Sequence, residues 1–143
     1  MKVKIKKIND LATIPVRGSE MAAGYDLCAC LSEKVVINPQ ETKLIPTGLI
    51  MELEPNTVAL IFARSGLATK QGLAPANKVG VIDPDYRGEW LVPLFNHGSS
   101  IQEVLPGQRI AQMVVVPFIE CDFVEEELTN SDRGDGGFGS TGK

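Results

Sequence analysis

The chain has 143 residues, 43% of them hydrophobic and 22% charged, and carries a net charge of −4 at pH 7. That length and apolar content suit one packed domain with a tail attached. The acidic balance speaks against a nucleic-acid partner, because gripping a phosphate backbone takes many Lys and Arg contacts, whereas a small anion needs only a local cluster of donors.

The basic stretch from Met1 to Lys7 is followed by no apolar h-region, so it does not read as a signal peptide. No run approaches the ~20 apolar residues of a membrane span, and no membrane partner is expected. Three cysteines (Cys28, Cys30 and Cys121) make an odd number without a C-x-x-C pattern. Reduced thiols in a cytoplasmic setting are expected, with neither a disulfide framework nor a zinc site.

Prolines at 15, 39, 46, 55, 75, 84, 93, 106 and 117 leave little room for long helices. Between them lie short β-branched or alternating runs at 3–5, 35–37, 44–45, 49–53, 58–62, 90–95 and 110–118. Several short strands divided by turn residues predict an all-β fold, a jelly-roll-like distorted barrel or sandwich. The unbroken apolar run Met113-Val114-Val115-Val116 predicts a strand buried on both faces. From Arg64 to Gly72 the pattern changes to helix formers, predicting one short helix with Ser65 as its N-cap and Gly72 as its stop. Residues 129–143 hold five glycines and one aromatic, Phe138. Such a stretch buries too little apolar surface to offset its ordering entropy and is expected to be mobile when left alone. The division expected is a domain over 1–124, then an acidic linker and Gly-rich lid over 125–143.

Elimination narrows the chemistry. The single histidine, His97, reads as a surface residue in a turn after a strand, so Ser-His catalysis and a His-based zinc site are not expected. The cysteines read as small core hydrophobes. What remains is carboxylates acting on water, with or without a metal. Asp26 stands in Ala23-Gly24-Tyr25-Asp26-Leu27, at the start of a strand-like run. Asp83 and Asp85 stand in Gly80-Val81-Ile82-Asp83-Pro84-Asp85-Tyr86-Arg87-Gly88, a turn-rich hairpin by composition.

Taken with these two segments, Arg64-Ser65-Gly66-Leu67-Ala68, Gly107-Gln108-Arg109-Ile110-Ala111-Gln112 and Arg133-Gly134-Asp135-Gly136-Gly137-Phe138-Gly139-Ser140-Thr141-Gly142 follow in order. Together they resemble the five signature motifs of the trimeric dUTP pyrophosphatase family, from about residue 21 to the C-terminus. The resemblance implies a β jelly roll assembled as a homotrimer with shared active sites, hydrolysing dUTP to dUMP and pyrophosphate with Mg²⁺. It thereby implies a lowered dUTP level and a supply of dUMP for thymidylate synthesis. Residues 125–143 are long enough to reach a neighbour's site, roughly 60 Å when fully extended.

By the same resemblance, Asp83 is the catalytic carboxylate that orients and deprotonates the attacking water. Asp26 helps hold Mg²⁺ through a water. Arg64, Ser65 and Gly66 bind phosphate at the helix N-terminus, where free N–H groups and a partial positive charge favour anions. Gln112 contacts phosphate, and Arg109 is given a mainly structural part. A hairpin spanning Asn77 to Tyr86 selects the base: Gly80, Val81 and Ile82 offer main-chain groups to the uracil edge, Asn77 contacts the nucleoside and Tyr86 packs under deoxyribose. From the tail, Phe138 stacks on uracil, Arg133 brings charge to the γ-phosphate, and Gly139, Ser140 and Thr141 supply donors.

The chain departs from the family pattern at Ala63, where Pro is common, at Gln71, where His is usual, and at Pro84, where Glu or Ser often stands. Asp135 places a carboxylate near the expected γ-phosphate. Two other readings compete. One is dCTP deaminase, of the same broad fold, but that family typically carries Ser-Ser after the motif-two Arg, whereas here Gly66 follows Ser65. The other is a non-catalytic nucleotide-binding or regulatory module.

Overall fold

The computed structural model describes residues 1–137. Twelve strands run in chain order: β1 (Lys4–Lys7), β2 (Val16–Arg17), β3 (Tyr25–Cys28), β4 (Val35–Ile37), β5 (Thr42–Pro46), β6 (Leu49–Glu52), β7 (Thr57–Phe62), β8 (Leu73–Pro75), β9 (Gly80–Ile82), β10 (Leu91–Asn96), β11 (Gln102–Val104) and β12 (Arg109–Pro117). One helix, α1 (Ser65–Gln71), lies between β7 and β8, and these are the elements among the described residues. The fold is therefore all-β with one short helix, as expected. Every pairing is antiparallel, in sheets ordered β2-β3-β12-β7-β9, β5-β10-β8, β1-β6 and β4-β11. Among the described residues these pairings do not join into one closed barrel. No helix among them is long and apolar enough to cross a membrane.

Alternation along the strands builds the core. In β7, Ala59 and Ile61 are buried; in β10, Val92 and Leu94 are buried; in β6, Leu49 and Met51 are buried. Period-two burial is what a strand with one face on a core requires. Asn96 is also fully buried, and it is satisfied: its Nδ2 donates to the Ile37 and Ser100 carbonyls, while its Oδ1 accepts the Gly98 N–H.

Several local expectations need correction. Ser65 is not the N-cap of α1 but its first helical residue; Arg64 is the cap, in extended conformation and without a side-chain cap bond. The Ser65 carbonyl instead accepts the Thr69 hydroxyl at 2.7 Å. Gly72 does end the helix, in the left-handed region at φ 66°, which a residue without Cβ adopts at little cost. The run 113–116 is not buried on both faces within the chain: Met113 is buried, whereas Val114, Val115 and Val116 are half-buried. The segment from Asn77 to Tyr86 is not a self-paired hairpin either. β8 pairs with β10 and β9 pairs with β7, so the turn between them passes from one sheet to another. Cys121 is exposed, not a core hydrophobe, and Cys28 is only half-buried; Cys30 is buried. His97 is exposed, with its ring edge-on to Phe95 at 4.5 Å between centroids.

After Pro117 the chain leaves the sheets. Residues 121–130 are all exposed, including Phe123 (98%) and Leu128 (93%).

Gly48, in the turn between β5 and β6, has φ +68°, and a Cβ there would lie 2.6 Å from Cys30 Sγ and 2.7 Å from Ala12 Cβ. Both neighbours are buried, so neither can move freely. Gly48→Ala is expected to lower stability by about 2–4 kcal/mol, combining overpacking with the left-handed penalty. Denaturant titration of the two proteins checks this.

Candidate active site

Residues expected to do chemistry gather in two clefts that share no lining residue. The first is lined by Asp26, Arg64, Ser65, Gly66, Arg109 and Gln112, with Gly24 and Phe62 among the walls. The second is lined by Asn77, Gly80, Val81, Ile82, Asp83 and Tyr86, above a floor that includes Ile61 and Trp90.

Strand geometry explains the division. Ile61 and Phe62 are consecutive in β7, and consecutive strand residues face opposite sides of a sheet. Cross-strand partners share a side. Phe62 therefore stands with its partner Gln112, and Gln112 with its partner Asp26, all on the side of the first cleft. Ile61 stands with its partner Gly80 on the side of the second.

At the first cleft Asp26 is the hub. Its side chain is only 12% exposed, and each carboxylate oxygen accepts from a different guanidinium: Oδ1 from Arg64 Nε at 2.8 Å, Oδ2 from Arg109 Nη1 at 3.2 Å. One anion holding two cations leaves a net positive surface, suited to a polyanion. Ser65 and Gly66 add first-turn N–H groups of α1, which have no partner within a helix. A Cβ on Gly66 would meet nothing within 4 Å, so the approach to this backbone is open. Gln112 donates from Nε2 to the Ala63 carbonyl at 2.9 Å, and its Oε1 lies where a Cβ on Gly24 would come within 2.7 Å. Gly24 is thus the space through which the Gln112 amide passes.

Arg109 belongs to this cleft more closely than its sequence position suggests. Arg109 and Gln112 are three apart, which in a regular strand puts them on opposite faces. A register shift between Arg109 and Ala111 inserts Ile110 as an extra residue, and Ile110 turns into the core. A bulge re-aims a side chain in this way. Cys28, the partner of Arg109 across the pairing, has its thiol pKa raised, chiefly by burial and then by Asp26, against smaller lowering by Arg109 and Arg64. Burial likewise raises the Cys30 thiol, followed by Glu89. Thiols held protonated are poor nucleophiles.

At the second cleft Asp83 opens a tight turn. Its carbonyl accepts the Tyr86 N–H at 3.2 Å, and Pro84 occupies the position where a fixed φ favours the turn. Arg87 Nη1 braces the turn through the Pro84 and Tyr86 carbonyls at 2.7 and 3.2 Å. Asp83 is exposed, and among the described residues no ion pair engages its carboxylate, in contrast to Asp26. β9 stands at the end of its five-stranded sheet, so one edge of Gly80–Ile82 pairs with β7 and the other has no strand partner among the described residues. A Cβ on Gly80 would lie 3.3 Å from Asn77 Nδ2, so the glycine seats the Asn77 amide. Glu89 also lines this cleft, a residue that sequence reasoning passed over.

Arg133 lines neither cleft; it lies in an exposed turn, its Nε donating to the Gly136 carbonyl at 2.7 Å. Phe138, Gly139, Ser140 and Thr141 lie outside the described residues. No group of three or more His, Cys, Asp or Glu that could hold a metal occurs among the described residues.

The family described as dUTPase matches residues 10–142. A deoxyuridine 5'-triphosphate nucleotidohydrolase of Nautilia profundicola is 49% identical over 144 residues, covering all of both chains. One of Neisseria meningitidis serogroup C is also 49% identical, covering 99% of this chain and 95% of the relative. Among solved structures, the dUTPase of Staphylococcus bacteriophage 80alpha with dUPNHPP superposes with a TM-score of 0.87 at 29% identity, over 99% of each chain. With fold, motif order and full-length relatives in agreement, the chain belongs to the dUTPase family, and its activity is the hydrolysis of dUTP.

Proposed function

We propose that hydrolysis takes place at sites assembled between the subunits of a homotrimer, with Asp83 as the base that activates water against the α-phosphate. The observation that carries this reading is the division of the candidate residues between two clefts on opposite sides of one sheet. A nucleoside triphosphate is a single molecule, and it needs both halves at once. A phosphate cleft on one copy set against a nucleoside cleft on the next is a heterologous contact, and such contacts close into rings. The relative solved with dUPNHPP supports a nucleoside triphosphate of this type as the ligand.

In the nucleoside half, the open edge of Gly80–Ile82 pairs with the uracil edge through backbone N–H and C=O groups. Cytosine places a donor where uracil has an acceptor, and unpaired groups of that kind can be worth ~10⁴-fold in discrimination. The close fit leaves no room for the thymine methyl. Asn77 contacts the nucleoside, and the Tyr86 ring fills the volume that a ribose 2′-hydroxyl needs. In the phosphate half, Arg64, the Ser65 and Gly66 backbone and Gln112 hold the triphosphate, and Arg109 adds a second guanidinium.

Asp83 takes a proton from water as the water oxygen bonds to the α-phosphorus. The bond from that phosphorus to the oxygen bridging the α- and β-phosphates breaks, releasing dUMP and pyrophosphate. The residues fit Mg²⁺ in an outer role. Each Asp26 oxygen accepts one guanidinium N–H and keeps a lone pair, through which Asp26 would hold the ion by way of a water. When bound, Mg²⁺ neutralises charge on the triphosphate. The tail of a further copy brings Arg133, Phe138, Gly139, Ser140 and Thr141 over the nucleotide and excludes solvent.

Asp83→Asn is expected to lower pyrophosphate release by about 10²–10⁴-fold, the range a general base supplies; wild-type rates in that variant would remove Asp83 from the role. Co-expression of Asp83→Asn with Arg64→Ala chains is expected to restore about one quarter of wild-type activity, since a random neighbour pairing completes that share of shared sites. Activity no greater than that of the two variants alone would place each site within one chain. Truncation after Asn130 is expected to leave a folded protein with turnover reduced at least about tenfold, and full activity in that protein would count against the lid.

A further inference from the structure

Resting on the reading of Tyr86 as the ring beneath deoxyribose, we propose that Glu89 is a positioning residue for the exclusion of ribonucleotides. Its side chain fixes the backbone on which the Tyr86 ring is mounted.

The ring has two contacts with its own strand of chain. It folds back over Gly88, where a Cβ would lie 2.3 Å from Tyr86 Oη and 2.5 Å from Cζ. Its hydroxyl donates to the Glu89 carbonyl at 3.1 Å. The place of the ring is therefore set by the backbone of residues 88–89. That backbone is tied in turn to the β5–β6 turn: Glu89 Oε1 accepts the Gly48 N–H at 2.8 Å. One residue on, the ties are those of ordinary backbone pairing, with the Trp90 N–H donating to the Leu49 carbonyl at 2.9 Å. The Trp90 carbonyl also accepts the Thr47 hydroxyl at 2.7 Å. Glu89 is the side chain that carries the anchor to the cleft itself, which it lines beside Tyr86.

The anchor point is rigid for reasons already given. Gly48 is buried, has φ +68°, and is packed too closely against Ala12 and Cys30 for any Cβ. Its carbonyl also accepts the Ile8 N–H at 2.9 Å. A carboxylate bonded to a backbone N–H is stronger than a neutral pair, so the link from Gly48 to residue 89 is stiff at both ends.

Excluding a hydroxyl by volume is a task that only a fixed group performs. A ring free to shift by the radius of an oxygen atom admits the ribose it is meant to refuse, so specificity of this repulsive kind depends on the mount as much as on the ring. Loss of the anchor therefore has an unusual signature. General damage to the site lowers turnover of dUTP and UTP together, whereas a loosened ring raises turnover of UTP in absolute terms.

The experiment compares kcat and KM for dUTP and UTP in the wild type and in Glu89→Ala, Glu89→Gln, Gly88→Ala and Tyr86→Ala. In Glu89→Ala, kcat/KM for UTP is expected to rise about tenfold while that for dUTP does not rise. Glu89→Gln keeps an acceptor oxygen for the Gly48 N–H and is expected to stay within about threefold of wild-type selectivity. Gly88→Ala forces the ring from its place without touching the anchor, and is expected to change the selectivity between dUTP and UTP at least about threefold. Should Glu89→Ala change both substrates in parallel, or neither, while Tyr86→Ala relaxes selectivity, the positioning role is overturned and the Tyr86 reading stands. Should Tyr86→Ala also leave selectivity unchanged, the sugar-packing reading fails and takes this inference with it. Wild-type turnover of dUTP reports separately on the catalytic reading.

Discussion

A β-strand commits neighbouring residues to opposite sides, and that constraint at Ile61 and Phe62 governs the rest of the molecule. Phe62 shares its side with Gln112 and Asp26, and Ile61 shares its side with Gly80. No rotamer change carries a phosphate-binding group from one side of the sheet to the other. On the proposed reading, a chain built this way carries two half-sites, so assembly is a condition of the chemistry and not an addition to it.

Within each half the electrostatics are arranged differently. Asp26 is nearly enclosed and spends both oxygens on guanidinium groups, which fixes the cations and leaves excess positive charge for phosphate. Asp83 is exposed at the head of a turn. Two carboxylates on one chain are thus set apart by surroundings: one is bound in place by cations, the other is exposed with no ion pair among the described residues. The Cys28 thiol beside the first cluster has its pKa raised by burial and by Asp26, which favours its protonated form.

The sequence made the elements legible more readily than their partners. Proline spacing and alternation marked most of the strands, and Gly72 marked the helix end, because these signals depend on backbone sterics acting over a few residues. Ser65 misled because a serine at the first helical position and a serine at the cap look alike in sequence; only the extended Arg64 backbone tells them apart. The segment from Asn77 to Tyr86 carries the turn residues of a hairpin, yet β8 before it pairs with β10 and β9 within it pairs with β7, a choice made by the core far away in sequence. The place of Arg109 at the first cleft is hidden in the sequence for a sharper reason. Counting from Gln112 places it on the wrong face, and the bulge at Ile110 that corrects the count is a feature of pairing with β3, invisible in the strand itself. Glu89 leaves no signal in the sequence, because the role proposed for it lies in a bond to Gly48, forty-one positions away.

Asp83 and Tyr86 are the first and last residues of one turn, closed by the bond between the Asp83 carbonyl and the Tyr86 N–H. On the proposed roles, the group that tests the sugar and the group that aims the water are therefore held at a separation set by covalent geometry. Pro84 restricts φ within that turn, and Arg87 ties its carbonyls from outside. A nucleotide whose sugar seats correctly on the ring is thereby brought to one distance from the carboxylate, and a displaced sugar misplaces the phosphorus as well. Discrimination then acts on the transition state and not on binding alone, which is where selection between similar substrates has its greatest effect.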